Sequence, residues 1–237
     1  HPLRGGVIAE AKLQGTATEA MIASLSMPQG GWAQTAREDA LARVRSMGLP
    51  QRRDEYWEFT RPDTLTQAEA LPAAVFDHGD APLFDSTDRL RIVFVDGVFD
   101  AEASDDLSLE GVKIERLAES NTDLHWARDL YGTLEKNGQT PVARPLAALN
   151  TAFATDGVLI HVTGSPSKPI NLVYQHKSET SDAMLHHLVK LDAGAEVTLL
   201  ENGPAAARFN TVMEVEVADT ARFHHVRAQG RDHERRA

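Results

Sequence analysis

Five histidines fall in stretches where apolar and polar residues alternate: His176, His186, His187, His224 and His225. Imidazole is the commonest protein ligand for transition metals, so the first chemistry to weigh is a metal or iron-handling site, with His186 and His224 as candidate ligands. The spacing argues against it. Neighbouring residues of a strand point to opposite faces, so neither His186/His187 nor His224/His225 makes a one-sided chelating pair. A cupin-type metal barrel would want His-x-His with a Glu shortly after, and the chain contains no His-x-His. These side chains are therefore expected at the surface or at the core edge, with no metal held by this chain.

The densest mixture of acids and aromatics is Asp54, Glu55, Tyr56, Trp57 and Glu58. A carboxylate there could do acid–base work if an apolar pocket raised its pKa. Trp57 and Phe59, at i and i+2 of an extended stretch, more simply anchor the segment while the acids face water. His125, Trp126 and Tyr131 share a helical pattern. Trp126 lies on a different side from Leu124 and Tyr131, so it suits either the core or a partner-facing anchor. No P-loop, G-x-S-x-G or H-E-x-x-H occurs. The sequence specifies no catalytic residue and no cofactor-binding residue, and the chain is expected not to be an enzyme.

The elements that must position these residues change character along the chain. Thr16/Glu19 and Thr35/Glu38 have capping-box spacing, predicting one helix that carries Met21, Ile22 and Leu25 inward and stops before Pro28. A second is predicted from Ala36 to about Met47, ended by Gly48 and Pro50. The Pro- and Asp-rich stretch 61–85 reads as an irregular connection. RLRIVFVDGVFD (89–100) predicts a hairpin with Asp96-Gly97 in a type I′ turn, and VKIERLAE (112–119) is expected to extend that small sheet. Helices are predicted from about Asp123 to Glu135, stopped by Asn137-Gly138, and from about Pro145 to Phe153. From Asp156-Gly157 onward six strands follow with no helical pattern between them: 157–162, 170–176, 184–191, 196–200, 210–217 and 221–226.

Two of these segments echo each other. Superposing Ala195 on Ala221, a shift of 26 residues, places Val189 on Val215, Leu191 on Val217, Val197 on Phe223 and Leu200 on Val226. A strand, a corner and a second strand cannot bury an apolar face alone, so such a unit must stack on its neighbour. The same shift puts His186 over Val212 and His187 over Met213. A sandwich or barrel is the rival arrangement.

With 237 residues the chain can bury a substantial core. Its 24 Lys and Arg against 35 Asp and Glu leave a net charge of −11, which disfavours nucleic acid and anionic membrane as partners. Cysteine is absent, so this chain has no disulfide and no Cys-ligated zinc or cluster of its own. No apolar run approaches the roughly 18 residues of a membrane span, and a cytoplasmic location is expected.

Several segments together resemble the SufD family of iron–sulfur cluster assembly proteins. GLPQRRDEYWEFTRPDTL (48–65) is similar to the family's early segment, ALNTAFATDGVLIHV (148–162) to its entry into the central β-helix, and AGAEVTLLE (193–201) and ADTARFHHVRAQ (218–229) to its coil corners. The likeness spreads over about Leu41 to Gln229. It implies an α+β protein: an N-terminal helical region with a small β-hairpin sheet over 1–153, then the first coils of a right-handed parallel β-helix over 154–237. In the family the helix of strands continues further, so the stack is expected to be incomplete at the C-terminus. The resemblance also implies a non-catalytic scaffold subunit of the Suf complex. Its partners would be a SufB-like paralogue and a SufC-like ATPase, the cluster being handled by the complex and no cofactor by this chain. An open end of the stack would also favour a homodimer. The alternative from another class is a metal-dependent β-fold enzyme of cupin-like or carbohydrate-active type.

Overall fold

The computed structural model describes the backbone of residues 3–49, 64–67, 88–120, 124–178, 183–204 and 209–230. The acidic and aromatic cluster at 54–59 and most of the 61–85 connection lie outside the described residues.

The helices are α1 (Leu3–Ser24), α2 (Gln34–Met47), α3 (His125–Leu130), α4 (Thr133–Asn137) and α5 (Pro145–Phe153). The strands are β1 (Thr64–Gln67), β2 (Leu90–Val95), β3 (Val98–Phe99), β4 (Val112–Arg116), β5 (Val158–Val162), β6 (Ile170–Gln175), β7 (Ala183–Leu191), β8 (Glu196–Pro204), β9 (Phe209–Val217) and β10 (Arg222–Gly230). They form two five-stranded sheets, ordered β1-β9-β7-β5-β4 and β10-β8-β6-β2-β3. Within each sheet the pairs are parallel except at one edge, where β4 runs antiparallel to β5 and β3 to β2.

From β5 to β10 successive strands alternate between the sheets, so each pairs with the strand two places away. The 26-residue echo is the register of the later pairs: Val189 lies beside Val215, Leu191 beside Val217, Val197 beside Phe223 and Leu200 beside Val226. His186 lies beside Val212 and His187 beside Met213, as the same shift requires. One turn earlier the shift lengthens to 29 residues, Leu159 pairing with Leu188 and Ile170 with Leu199. A short corner at Asp192–Ala195, with Gly194 at φ +75°, separates β7 from β8. Its counterpart at Ala218–Ala221 has Thr220 at φ +63° and docks on it through Gly194 N–H to Asp219 O.

The main core lies between the sheets, built from alternate residues such as Leu90, Ile92, Phe94, Ile160, Leu172, Leu185, Val189, Leu199, Met213 and Phe223. The first sheet is buried on its other face too. Met184 packs with α1, α2 and α5, while Leu159 and Leu188 pack with Trp32, Leu130 and Tyr131. A strand covered on both sides reads as a nearly continuous buried run, and β7 does: eight of its nine residues are buried.

Four expectations need correction. The capping boxes do not form: Thr16 sits inside α1 and its hydroxyl donates to Lys12 O at 3.0 Å, a back-bond within the helix. Thr35 lies inside α2, and Glu38 accepts from the Gln34 side chain at 2.7 Å rather than reaching back to the cap. β4 does not extend the hairpin; it pairs with β5 in the other sheet, and the hairpin instead joins β6 through β2. The single helix predicted at 123–135 is broken at Gly132, which takes φ +77° and starts the separate α4. A short strand, β1, also appears in the stretch read as irregular, parallel to β9. The Asp96-Gly97 turn has both residues at positive φ, as a type I′ turn demands.

Candidate functional site

Of the five histidines expected at the surface or core edge, His176 and His224 are partly exposed, whereas the other three are among the most buried polar groups described. His186 and His187 are 0% exposed and His225 is 4%. The two rings of each adjacent pair do point to opposite faces. Both faces of β7 are covered, one by helices and the opposite one by the other sheet.

On the inner face, His187 belongs to a buried polar chain linking the sheets. Val158 N–H donates to His187 Nδ1 at 3.0 Å, which leaves the proton on Nε2, 3.0 Å from the Tyr174 hydroxyl. That hydroxyl donates to Glu201 Oε2 at 2.7 Å, and His225 Nε2 meets Glu201 Oε1 at 2.6 Å. The four side chains come from β6, β7, β8 and β10, so the chain pins strands of both sheets. Burial pushes the His187 pKa down to about 4 from 6.5. Burial alone would raise Glu201, but the His225 hydrogen bond and charge, with His187 and Tyr174, outweigh it and hold the carboxyl below the usual carboxylate range.

The pH consequence has a definite sign. An unfolded chain takes a proton on His187 as pH falls through 6.5, whereas the folded chain refuses it until about 4. Glu201, held below its ordinary 4.5, acts in the same direction at lower pH. The urea midpoint is therefore expected to drop steadily as pH is lowered from 7 toward 4. His187→Asn, whose amide oxygen can still accept from Val158, should flatten that part of the profile. A wild-type midpoint constant over this range would contradict the assignment.

On the outer face, His186 Nε2 meets Glu214 Oε1 at 2.5 Å and Nδ1 meets Asn150 Oδ1 at 3.0 Å. The ring stacks on Tyr131 with centroids 4.2 Å apart. Glu214, also 0% exposed, takes three backbone N–H groups around the start of α4: Gly132 at 2.6 Å, Leu134 at 2.9 Å and Glu135 at 3.1 Å. Asn150, from α5, donates to Leu185 O and Asn210 O. One strand carboxylate and one helix amide thus tie α4 and α5 to β7 and β9. Burial raises the Tyr131 pKa, keeping its hydroxyl protonated to donate to Thr151 O at 2.7 Å.

His186 and His224 are not brought together. Both nitrogens of His186 face oxygen acceptors, whereas His224 lies on the outer face of the other sheet with Nε2 3.0 Å from Glu196. His176 stands beside Asp96 at the hairpin turn, 3.3 Å away. Among the described residues no group of three or more His, Asp or Glu side chains is placed to share a metal ion. Trp126 packs on the helix-side cluster with its ring 5.4 Å from His161. What these constellations do is hold strands and helices in register.

The chain is similar to a SufBD protein. The relative is an iron–sulfur cluster assembly SufBD family protein of Synechocystis, 25% identical over 213 residues that cover 81% of this chain. The match spans 46% of the relative, so the chain corresponds to about half its length. The sequence matches no family profile. No helix among the described residues is long and apolar enough to cross a membrane.

Sequence reasoning missed Glu214, Glu201 and Tyr174. The signal was present: in NTVMEVEV and EVTLLE an acid interrupts a run that is otherwise apolar or β-branched, and a buried acid requires partners.

Proposed function

We propose that the chain is the N-terminal portion of a SufD-like scaffold subunit and that its strands are the first coils of a right-handed parallel β-helix. The observation that carries this reading is the alternation of β5 to β10 between two parallel sheets at a shift of 26 to 29 residues, joined to the similarity to a SufBD protein. In this reading residues 1–153 supply the helical cover and 154–237 the stacked strands. Glu201 bonds to Tyr174 and His225, and Glu214 to His186 and three backbone amides, which suits a rigid positioning element better than a catalyst. The role is non-catalytic: the whole protein would hold a SufB-like paralogue and a SufC-like ATPase in a cytoplasmic complex that handles iron–sulfur clusters.

Co-expression of the full-length protein with its own SufB-like and SufC-like partners tests this. A stoichiometric complex surviving gel filtration at micromolar concentration is expected. Three separate peaks with all proteins folded would contradict the scaffold role.

A further inference from the structure

A cleft of about 710 Å³ opens between α2 and the α3–α4 segment, on the helical side of the molecule. Its walls join two aromatic residues, Trp32 and Tyr131, to three cations, Arg43, Arg128 and Lys136, with Asp39 the single carboxylate among the lining residues. The lining residues thus carry more cations than carboxylates, although Glu135 and Asp129, just outside the lining, lie beside Arg43 at 2.7 Å and Arg128 at 3.8 Å. The volume is that of a site for a small organic ligand.

The walls are set in advance. Trp32 Nε1 donates to Ser120 Oγ at 3.1 Å, and its ring stands edge-on to Tyr131 with centroids 5.8 Å apart. Arg43 donates to Asp39 at 2.6 Å and to the buried Glu135 at 2.7 Å, while its shielded Nε has no acceptor among the described residues. Lys136 and Arg128 stand at the rim with side chains 60% and 45% exposed, and Lys136 lies 3.5 Å from Asp39. The amides of Gly132, Leu134 and Glu135 are spent on Glu214, so they are not available to an anion in the cleft.

We propose that this cleft binds a nucleoside phosphate. The planar base lies against Trp32, the phosphate sits among Lys136 and Arg128 with Arg43 behind them, and Asp39 accepts from a sugar hydroxyl. Rings and cations together select this class, since an aliphatic anion would leave Trp32 unused and an uncharged ring would leave the cations unused. Occupancy would also reach the strands, because Tyr131, in the wall, stacks on His186. This site is independent of the scaffold role and stands or falls separately.

Calorimetric titration of the purified chain with AMP and ADP tests it, with adenosine and inorganic phosphate as separate arms. Saturable nucleotide binding with a dissociation constant below about 1 mM is expected, with adenosine and phosphate each at least about tenfold weaker. Lys136→Ala and Arg128→Ala, both at exposed positions, should each weaken AMP several-fold with the circular dichroism spectrum unchanged. Trp32→Phe should weaken adenosine and AMP alike. The absence of saturable heat from either nucleotide up to about 5 mM overturns the proposal. So does affinity untouched by both cation substitutions, or phosphate alone binding as tightly as AMP.

Discussion

Glu214→Ala is expected to lower the unfolding free energy by about 3–5 kcal/mol, measured by urea denaturation at neutral pH. The carboxylate is wholly buried and accepts from three backbone N–H groups and from His186. Its removal leaves all four donors without their acceptor in a place water does not reach, and each unsatisfied donor costs about 1–3 kcal/mol before relaxation. Glu214→Gln should cost less, because the amide oxygen keeps some of these bonds while its NH2 opposes the donors. Hydrogen exchange gives the local signature: the amides of Gly132, Leu134 and Glu135 should lose protection first in either variant. An alanine variant within about 1 kcal/mol of the wild type would show that α4 is held by something else.

Gly157→Ala should be comparably damaging, by at least about 3 kcal/mol, read from the same denaturation curve or from loss of soluble folded protein. A Cβ on Gly157 would lie 1.7 Å from His186 O and 2.5 Å from the carbonyl carbon, a clash with backbone that no rotamer change relieves. The close approach has a purpose in the fold. Just before β5 the chain meets β7, where His186 N–H donates to Asp156 O at 3.0 Å, and Gly157 O accepts from Leu117 N–H at 2.9 Å. Gly97→Ala makes a useful comparison. Its Cβ would meet the Ala183 Cβ at 2.6 Å, and the residue sits at φ +79° in the hairpin turn. That turn lies nearer the surface, so a smaller loss is expected there.

The strands of the second half were legible because their residues alternate in type and their corners carry Gly or Thr-rich turns at a fixed spacing. Val189, Leu191, Val197 and Leu200 announced their partners 26 residues on, since a stacked unit puts like on like. The hairpin was legible from Asp96-Gly97 for an equally local reason. Long-range pairing was not: nothing in VKIER says whether it continues the hairpin or crosses to β5, because both choices bury Val112 and Ile114. The helix break at Gly132 was hidden for a related reason. Its 3.6-residue pattern runs on through Leu134, and the N–H groups freed by the break are satisfied by Glu214, which lies 82 residues further along. The histidines were misjudged because alternation gives the face of a side chain but not what covers that face. His186 and His187 lie on opposite sides of β7, and only the layered packing buries both.

That layering also bears on function. Both polar constellations are buried, and their side chains bond to one another and to backbone groups, so their energy goes into register. The scaffold role proposed above needs such stiffness along the strands, and the Tyr174–His187–Glu201–His225 chain supplies it across both sheets.

The absence of native cysteine allows the winding itself to be tested by disulfide trapping. Thr198 and His224 are register partners on the outer face of the β8–β10 pair, so Thr198→Cys with His224→Cys should form an intramolecular bridge readily under mild oxidation. Thr198→Cys with Val226→Cys shares the face but sits one pair out of register, and should oxidise slowly if at all. Fast bridging of the first pair and not the second is the outcome for strands that skip a neighbour and stack at a 26-residue interval. Preferential bridging of the second pair, or none in either, would mean that β8 and β10 are not stacked in this way.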